Sequence, residues 1–478
     1  MNKIDKIYNI LIKSDYILLK TGLLILLTGF IFSTVMFPFL GHDSGYYLKY
    51  AYDIHKGLSY YTDMNIAYTP LSMYIISLLY DLYPPINLYQ IFLFVVLLYF
   101  ISAILIYQVL CNFKIEKAKA VLITLIMLVS LFELDGANVQ LEPFVLIFQL
   151  SGVLFLQKWS INKNNSWLFV VGFFTFLAFY SKQYGISVVV GFIWYIHSLK
   201  KDKTHFYNGL MSFVSGLFLP MVLIIFYKIT LQIPLNAILI KLSGIDYITR
   251  KEIITGIGYD LPHFFKSIYK FIIDLPVVLV LLAFAHQKFR PKLNPELVLV
   301  ILLITGSCIQ LAFAGYRHYY QLIAPFILIL IALILNENEP IKKEIIHRKF
   351  IYLTTLFLLL TTPIVIDRFS RRSVRYDYQV KKSETLTKIV PSGEKVYIQA
   401  ISPAYYYLCK YNSPDFLKLG YRFPEELTPK FITESLKKGD YIIVDELFID
   451  KSDYLTNFIV IKQIELHNRR TGYFLQKN

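Results

Sequence analysis

Apolar residues run in long blocks from residue 16 to residue 366, broken by short polar stretches rich in lysine. The first block, 16–38, is almost wholly aliphatic or aromatic. Ten more follow at 88–110, 118–133, 141–158, 167–181, 184–198, 208–231, 271–286, 296–314, 319–335 and 350–366. A helix needs roughly 20 apolar residues to cross the hydrocarbon core, and it satisfies every backbone group where lipid offers no water. The pattern predicts an α-helical polytopic membrane protein with about 11 transmembrane helices.

Two regions depart from it. From Ser44 to His55 the spacing is that of a short helix, with Tyr47, Ala51 and Ile54 on one face and Lys49, Asp53 and Lys56 elsewhere. Gly57 is placed to end it. A short aromatic amphipathic helix of this kind is expected in the headgroup layer. The segment PLSMYIISLLYDLY, Pro70 to Tyr83, is apolar but too short to span, which predicts a re-entrant or interfacial helix. After residue 366 the pattern changes again. EKVYIQA, DYIIVDE and FIVIKQIEL read as strands, PAYYYLCKY and PKFITESLKKG as helices. The expectation is a membrane domain over 1–366, with interfacial helices in 39–87, followed by a small α/β domain over 367–478.

Composition sharpens this picture. Only 17% of the 478 residues are charged and 56% are hydrophobic, where a soluble chain has about 25% charged residues. Mean hydropathy is +0.52. A net charge of +15 would suit nucleic acid only as a basic face on a folded domain. Here the cations gather in short loops instead, so no nucleic-acid partner is expected and the positive-inside rule orients the chain. With the N-terminus cytoplasmic, the inner loops hold clusters such as Lys114, Lys117 and Lys119, or Lys200, Lys201 and Lys203. The short outer connections hold Lys182 and Arg317, and 134–140 has none. The long 232–270 connection carries five basic residues, but long loops obey the rule weakly. This places 39–87 and 367–478 on the extracytoplasmic side of the plasma (inner) membrane. The first block is too long for a cleaved signal, and no small-x-small site follows it. Cys111, Cys308 and Cys409 fall in different compartments, so no disulfide is expected.

Walker loops, GxGxxG, HExxH and CxxC are absent, which argues against a bound nucleotide or structural zinc. Polar residues collect instead at the outer ends of spans: Asp43, Asp63, Glu142, Lys182, Arg317 and His318. Asp43 reads either as the N-cap of the helix that follows or as a general base held as an anion by that helix end. Glu142, followed by Pro143, opens a span and favours its dipole. Lys182 either snorkels to headgroups or binds phosphate. Arg317 suits phosphate because its guanidinium makes paired, charge-assisted bonds. Together these are the parts needed to displace a lipid phosphate: a base for the incoming hydroxyl and cations for the leaving oxygens.

HDSGYYLKYAYDIHKGLSYYTDMNIAYTPLSMYIISLLY resembles the first outer loop of the GT-C membrane glycosyltransferases that use polyprenyl-phosphate sugars, among them the protein O-mannosyltransferases and the aminoarabinose lipid A transferases. Asp43, the Gly57–Tyr60 segment, Pro70 and Leu71 carry the likeness. EPFVLIFQLSGVLFLQKW, FLAFYSKQYGISVVVG and YRHYYQLIAPFILILIA resemble later blocks of that family, in the same order and on the same side. The resemblance implies an inverting hexosyl- or pentosyltransferase moving a sugar from a polyprenyl-phosphate donor to an acceptor hydroxyl of a cell-envelope glycan or lipid. Asp43 would be the base, with Glu142 and Asp63 as further catalytic acids. Lys182, Arg317, His318, Tyr320 and Tyr68 would bind substrate and phosphate. Many protein O-mannosyltransferases have Asp-Glu where this chain has Asp43-Ser44, which points away from a protein acceptor and leaves Asp63 as a competing base. Relatives with pyrophosphate donors hold a divalent metal between acids; Asp43 and Glu142 would be its ligands, but no metal is favoured. The alternatives are a glycan polymerase or ligase with a pyrophosphate-linked donor, and a lipid-sugar flippase or transporter, against which stands the lack of a two-halves repeat.

Overall fold

The structure is a computed structural model and describes residues 3–64, 68–82, 87–200, 202–243, 261–274, 294–309, 317–336, 343–398, 401–412, 434–445, 458–465 and 471–478. Its helices are α1 (Lys3–Met36), α2 (His42–His55), α3 (Leu71–Leu82), α4 (Leu88–Asn112), α5 (Lys117–Leu131), α6 (Glu142–Asn162), α7 (Ser166–Ser181), α8 (Val189–Ser198), α9 (Lys203–Thr230), α10 (Leu235–Ser243), α11 (Leu261–Asp274), α12 (Pro295–Ile309), α13 (Ala324–Asn336), α14 (Lys343–Ile389) and the short α15 (Ala404–Leu408).

Five described stretches are long and apolar enough to cross a membrane: Ile17–Met36, Leu88–Asn112, Glu142–Asn162, Lys203–Thr230 and Arg317–Ile334. Leu71–Leu82, Ser166–Ser181 and Pro295–Cys308 are apolar but shorter. The block expected as one span at 184–198 is divided. Lys182 has extended backbone, a 3-10 turn follows at Gln183–Val188, and α8 adds only ten residues. The Gln149 amide holds that turn through the Gly185 carbonyl and the Ser187 hydroxyl. The block at 319–335 likewise opens as a 3-10 turn, Arg317–Leu322, before α13. Most of the block at 271–286 lies outside the described residues.

Helix α2 forms where the periodicity put it and ends as expected. Gly57 takes φ +88, and its N–H reaches the Ile54 carbonyl, the left-handed stop that glycine adopts without strain. One expectation fails, because Asp43 is not the N-cap. Gly41 holds that position without a side-chain bond, and Asp43 sits inside the first turn, where its charge still favours the helix dipole. Within the protein, Ser44 through Ala51 of α2 are buried except for Tyr46.

The C-terminal sheet has the strand order β1-β2-β4-β3, with β1 (Val396–Ile398) parallel to β2 (Tyr441–Asp445). Strands β3 (Phe458–Glu465) and β4 (Thr471–Lys477) complete it in antiparallel fashion, with an irregularity between Val460 and Lys462. Strand β4 had no counterpart in the sequence reading, and PKFITESLKKG lies mostly outside the described residues. A single 47-residue helix, α14, joins this sheet to the bundle. At 1.5 Å per residue it is roughly 70 Å long, more than twice the hydrocarbon thickness of about 30 Å. Leu386 and Val390, at its far end, pack with Val396, Ile398, Ile443 and Phe474 in the sheet's core. Helix α14 thus runs straight through the boundary expected at residue 366.

Candidate functional site

The site is assembled at the end of the bundle that carries α2 and α3. Two devices hold α2 there. Ser44, fully buried, donates to the Val139 carbonyl and accepts from the Val139 N–H, at 3.1 and 3.0 Å. Val139 lies three residues before Glu142, so this stitch links the Asp43 turn to the segment leading into Glu142. From the other side, Arg372 of α14 donates to the Phe37 and Phe39 carbonyls, and the Gln379 amide makes both bonds to the Leu40 backbone. Arg368 donates to the carbonyls of Phe132 and Glu133 in the π-helical turn ending α5. Of the arginines just after residue 366, Arg372 therefore clamps the leader of α2 and Arg368 the turn ending α5.

The loop between α2 and α3 lies over the end of α7. Thr69 donates to the Phe179 carbonyl at 2.7 Å, Ser72 to that of Ser181 at 3.4 Å, and the Tyr61 and Tyr180 hydroxyls are 2.8 Å apart. Beneath it Lys182 and Glu142 form an ion pair, Nζ to Oε1 2.5 Å, with both side chains 0% exposed. The Lys182 ammonium also faces the rings of Tyr319 at 4.5 Å, Tyr68 at 5.0 Å and Tyr184 at 5.7 Å. His318 Nε2 stands 3.9 Å from the same Glu142 oxygen. The second Glu142 oxygen, Oε2, is buried without a hydrogen-bond partner. Lys182 does not snorkel. Enclosed charge of this kind is stabilised by its counter-ion and by ring quadrupoles rather than by water.

The turn bearing His318 is fixed by Gln321, which donates to the Leu134 carbonyl at 2.6 Å and accepts from the Tyr99 hydroxyl at 3.0 Å. This aims His318 and Tyr319 at Glu142 and Lys182, and leaves Arg317 half-buried beside them. Tyr320 goes elsewhere: its hydroxyl donates to the Ser267 carbonyl and its ring packs on Phe271. Asp63 accepts from the Ser59 N–H at 2.8 Å and from the Thr62 hydroxyl, closing its own turn. Asp43 shares a face of α2 with Tyr47 and Tyr50, four and seven residues on. The Tyr47 ring meets Tyr68 edge-on at 6.2 Å, and Tyr68 lies against Lys182. Ser44, Tyr184, Tyr319 and Gln321 were not singled out in the sequence. Tyr184 and Tyr319 adjoin residues that were, within SKQYG and RHYY. Among the described residues, no three His, Cys, Asp or Glu side chains gather into a cation site.

Comparison with known proteins gives a glycosyltransferase likeness over one segment of the chain and a likeness of fold over nearly all of it. More particularly, residues 67–227 match the profile of the family described as dolichyl-phosphate-mannose-protein mannosyltransferase. The fold is similar to the crystal structure of ArnT from Cupriavidus metallidurans bound to undecaprenyl phosphate, with a TM-score of 0.59 at 10% identity over 95% of this chain and 97% of that one. The apo form of that ArnT aligns with a TM-score of 0.52 at 11% identity over the same shares. At such identities the likeness is one of fold. No curated protein matches the chain by sequence.

Proposed function

We propose that the protein transfers a sugar from a polyprenyl-phosphate donor to a hydroxyl of an extracytoplasmic glycan or lipid, with inversion at the anomeric carbon. The observation that carries this reading is the Lys182–Glu142–His318 cluster, buried at one end of a membrane bundle under the loop that begins with Asp43. The ArnT crystal structure, bound to undecaprenyl phosphate, has the same fold, which supports a lipid phosphate as leaving group here.

In this mechanism Asp43 takes the proton of the acceptor hydroxyl, whose oxygen attacks the anomeric carbon. The bond from that carbon to the phosphate oxygen breaks, and the charge left on the phosphate is met by Arg317, His318 and Lys182. Glu142 holds Lys182 and His318 at the spot where this charge develops, so little reorganisation is needed during reaction. Asp63 fixes the turn under which the donor sits and stands second to Asp43 as base. The N-terminus is cytoplasmic in this arrangement, and the site and the C-terminal sheet are extracytoplasmic.

The test is transfer of labelled sugar from a polyprenyl-phosphate donor by the purified protein in nanodiscs. Asp43→Asn should lower kcat by about 10²–10⁴-fold, the usual contribution of a positioned base, with donor binding unchanged. Full activity in that variant would remove Asp43 from its role. Lipid-sugar translocation without glycosidic product would overturn the transferase reading.

A further inference from the structure

A cavity of about 550 Å³ lies between α2 and the C-terminal domain, within the roughly 300–1,000 Å³ of small-ligand sites. It is on the far side of α2 from the cluster just described. Lys49, Tyr52 and Lys56 line it, whereas Tyr47, Tyr50 and Ile54 pack with Tyr68 and its neighbours. By helical spacing Asp43 belongs with the second set. The opposite wall is α15 and the turn after it, and Asn87 and Leu88, where α4 begins, close the bottom. The cavity therefore sits at the first turn of α4, a helix long and apolar enough to cross a membrane.

Its lining has one chemical character. Tyr52, Tyr80, Tyr406 and Tyr407 present flat rings with polar edges, and Asn87 and Asn412 add amides. Rings beside amides form the surface a pyranose covers: its C–H face lies on the aromatics, and its hydroxyls bond the capacity that amides and phenols have left over. Tyr80 already donates to the Leu48 carbonyl, Tyr406 accepts from the Ile398 N–H, Asn87 accepts from the Gln90 N–H and Asn412 donates to the Gly393 carbonyl. No carboxylate is among the described lining residues, while three lysines and His55 are. Lys49 is engaged by Asp53, 2.5 Å from Nζ to Oδ2, and His55 by Asp81 at 2.6 Å. The exposed Lys56 and Lys410 at the rim supply the positive field.

We propose that this cavity is a second saccharide site, one that takes a sugar bearing a phosphate or carboxylate and anchors the acceptor there. The acceptor role rests on the transferase reading; the binding does not. Because a helix about 10 Å across separates the cavity from the Asp43 face, the anchored sugar is not the reacting one. The acceptor is then an oligosaccharide or glycolipid with an anionic unit two or more sugars away from the hydroxyl that is glycosylated.

The experiment is calorimetric titration of the full-length protein in nanodiscs with glucose 6-phosphate, glucuronate, glucose and inorganic phosphate. Both sugar acids should bind at least about tenfold more tightly than glucose, the margin of charge-assisted over neutral contacts. Sugar phosphate should also bind more tightly than inorganic phosphate. Reversing the rim with Lys56→Glu and Lys410→Glu, both at exposed positions, should weaken the acids by about tenfold or more. Tyr407→Ala should weaken glucose 6-phosphate and leave inorganic phosphate unaffected. Asp43→Asn should bind the acids as the unaltered protein does, so that loss of the catalytic reading and loss of this site are read separately. Absent binding of either acid, equal affinity for glucose 6-phosphate and inorganic phosphate, or unchanged affinity in the charge-reversed protein would each overturn the proposal.

Discussion

A lysine and a glutamate forty residues apart in sequence share one sealed contact, and the cost of parting them is asymmetric. Glu142→Gln strands an ammonium among three tyrosine rings and should destabilise the fold by about 3–5 kcal/mol, the usual cost of unpairing a buried charge. Glu142→Gln combined with Lys182→Met should recover most of that loss in chemical denaturation and remain inactive in sugar transfer. Recovery of neither would show that the pair does not act as a unit. Cys409 gives a pH-dependent expectation. Burial pushes its thiol up to about 12 from an ordinary value of 9.0. The unfolded thiol ionises first, so the contribution to stability is complete below pH 9 and is lost as pH rises through 12. Maleimide should leave Cys409 untouched at pH 8 in the native protein and label it once denaturant opens the domain. The sequence displayed Asp43, Glu142, Lys182 and His318 as polar residues interrupting an apolar run. It did not show which of them meet. That pairing depends on a 3-10 turn aimed by Gln321, and on Ser44 bonding to a backbone almost a hundred residues away. Nor did the sequence show that Tyr320, adjacent to these residues along the chain, bonds the Ser267 carbonyl.

Among the elements, those with a long period were legible and those made of contacts were not. Helices α1, α4, α6 and α9 follow the apolar blocks closely, and α2 and α3 follow theirs. The end of α14 did not show, because RFSRRSVRYD changes the composition without interrupting the helix. Its arginines look like the start of a soluble domain, but Arg368 and Arg372 are occupied with carbonyls of the bundle. Gly45 marks where α2 meets the other domain. A Cβ there would lie 2.3 Å from the Ala404 nitrogen, a backbone atom that cannot swing aside. Gly45→Ala should cost about 1–3 kcal/mol, as overpacking does, and should speed hydrogen exchange in residues 404–412. Unchanged exchange there would mean that α2 and α15 do not depend on each other.

For the whole molecule, the hydrophobic pattern defined a membrane bundle with a small appended sheet, and the fold shared with ArnT agrees. The number of spans was less accessible, because several apolar runs are divided by 3-10 turns or fall below spanning length. The same breaks bring Lys182 and His318 together at Glu142. One further consequence belongs to α14. A domain hung on a loose tether tumbles independently of what it hangs from, but this sheet is mounted on a continuous helical mast that packs against α1 in the bundle. Any tilt of the mast would widen or narrow the tyrosine-lined cleft against α2 while also tugging the Arg372 clamp on the leader of α2. Movements of the sheet and of the segment leading into α2 are thus linked through one helix.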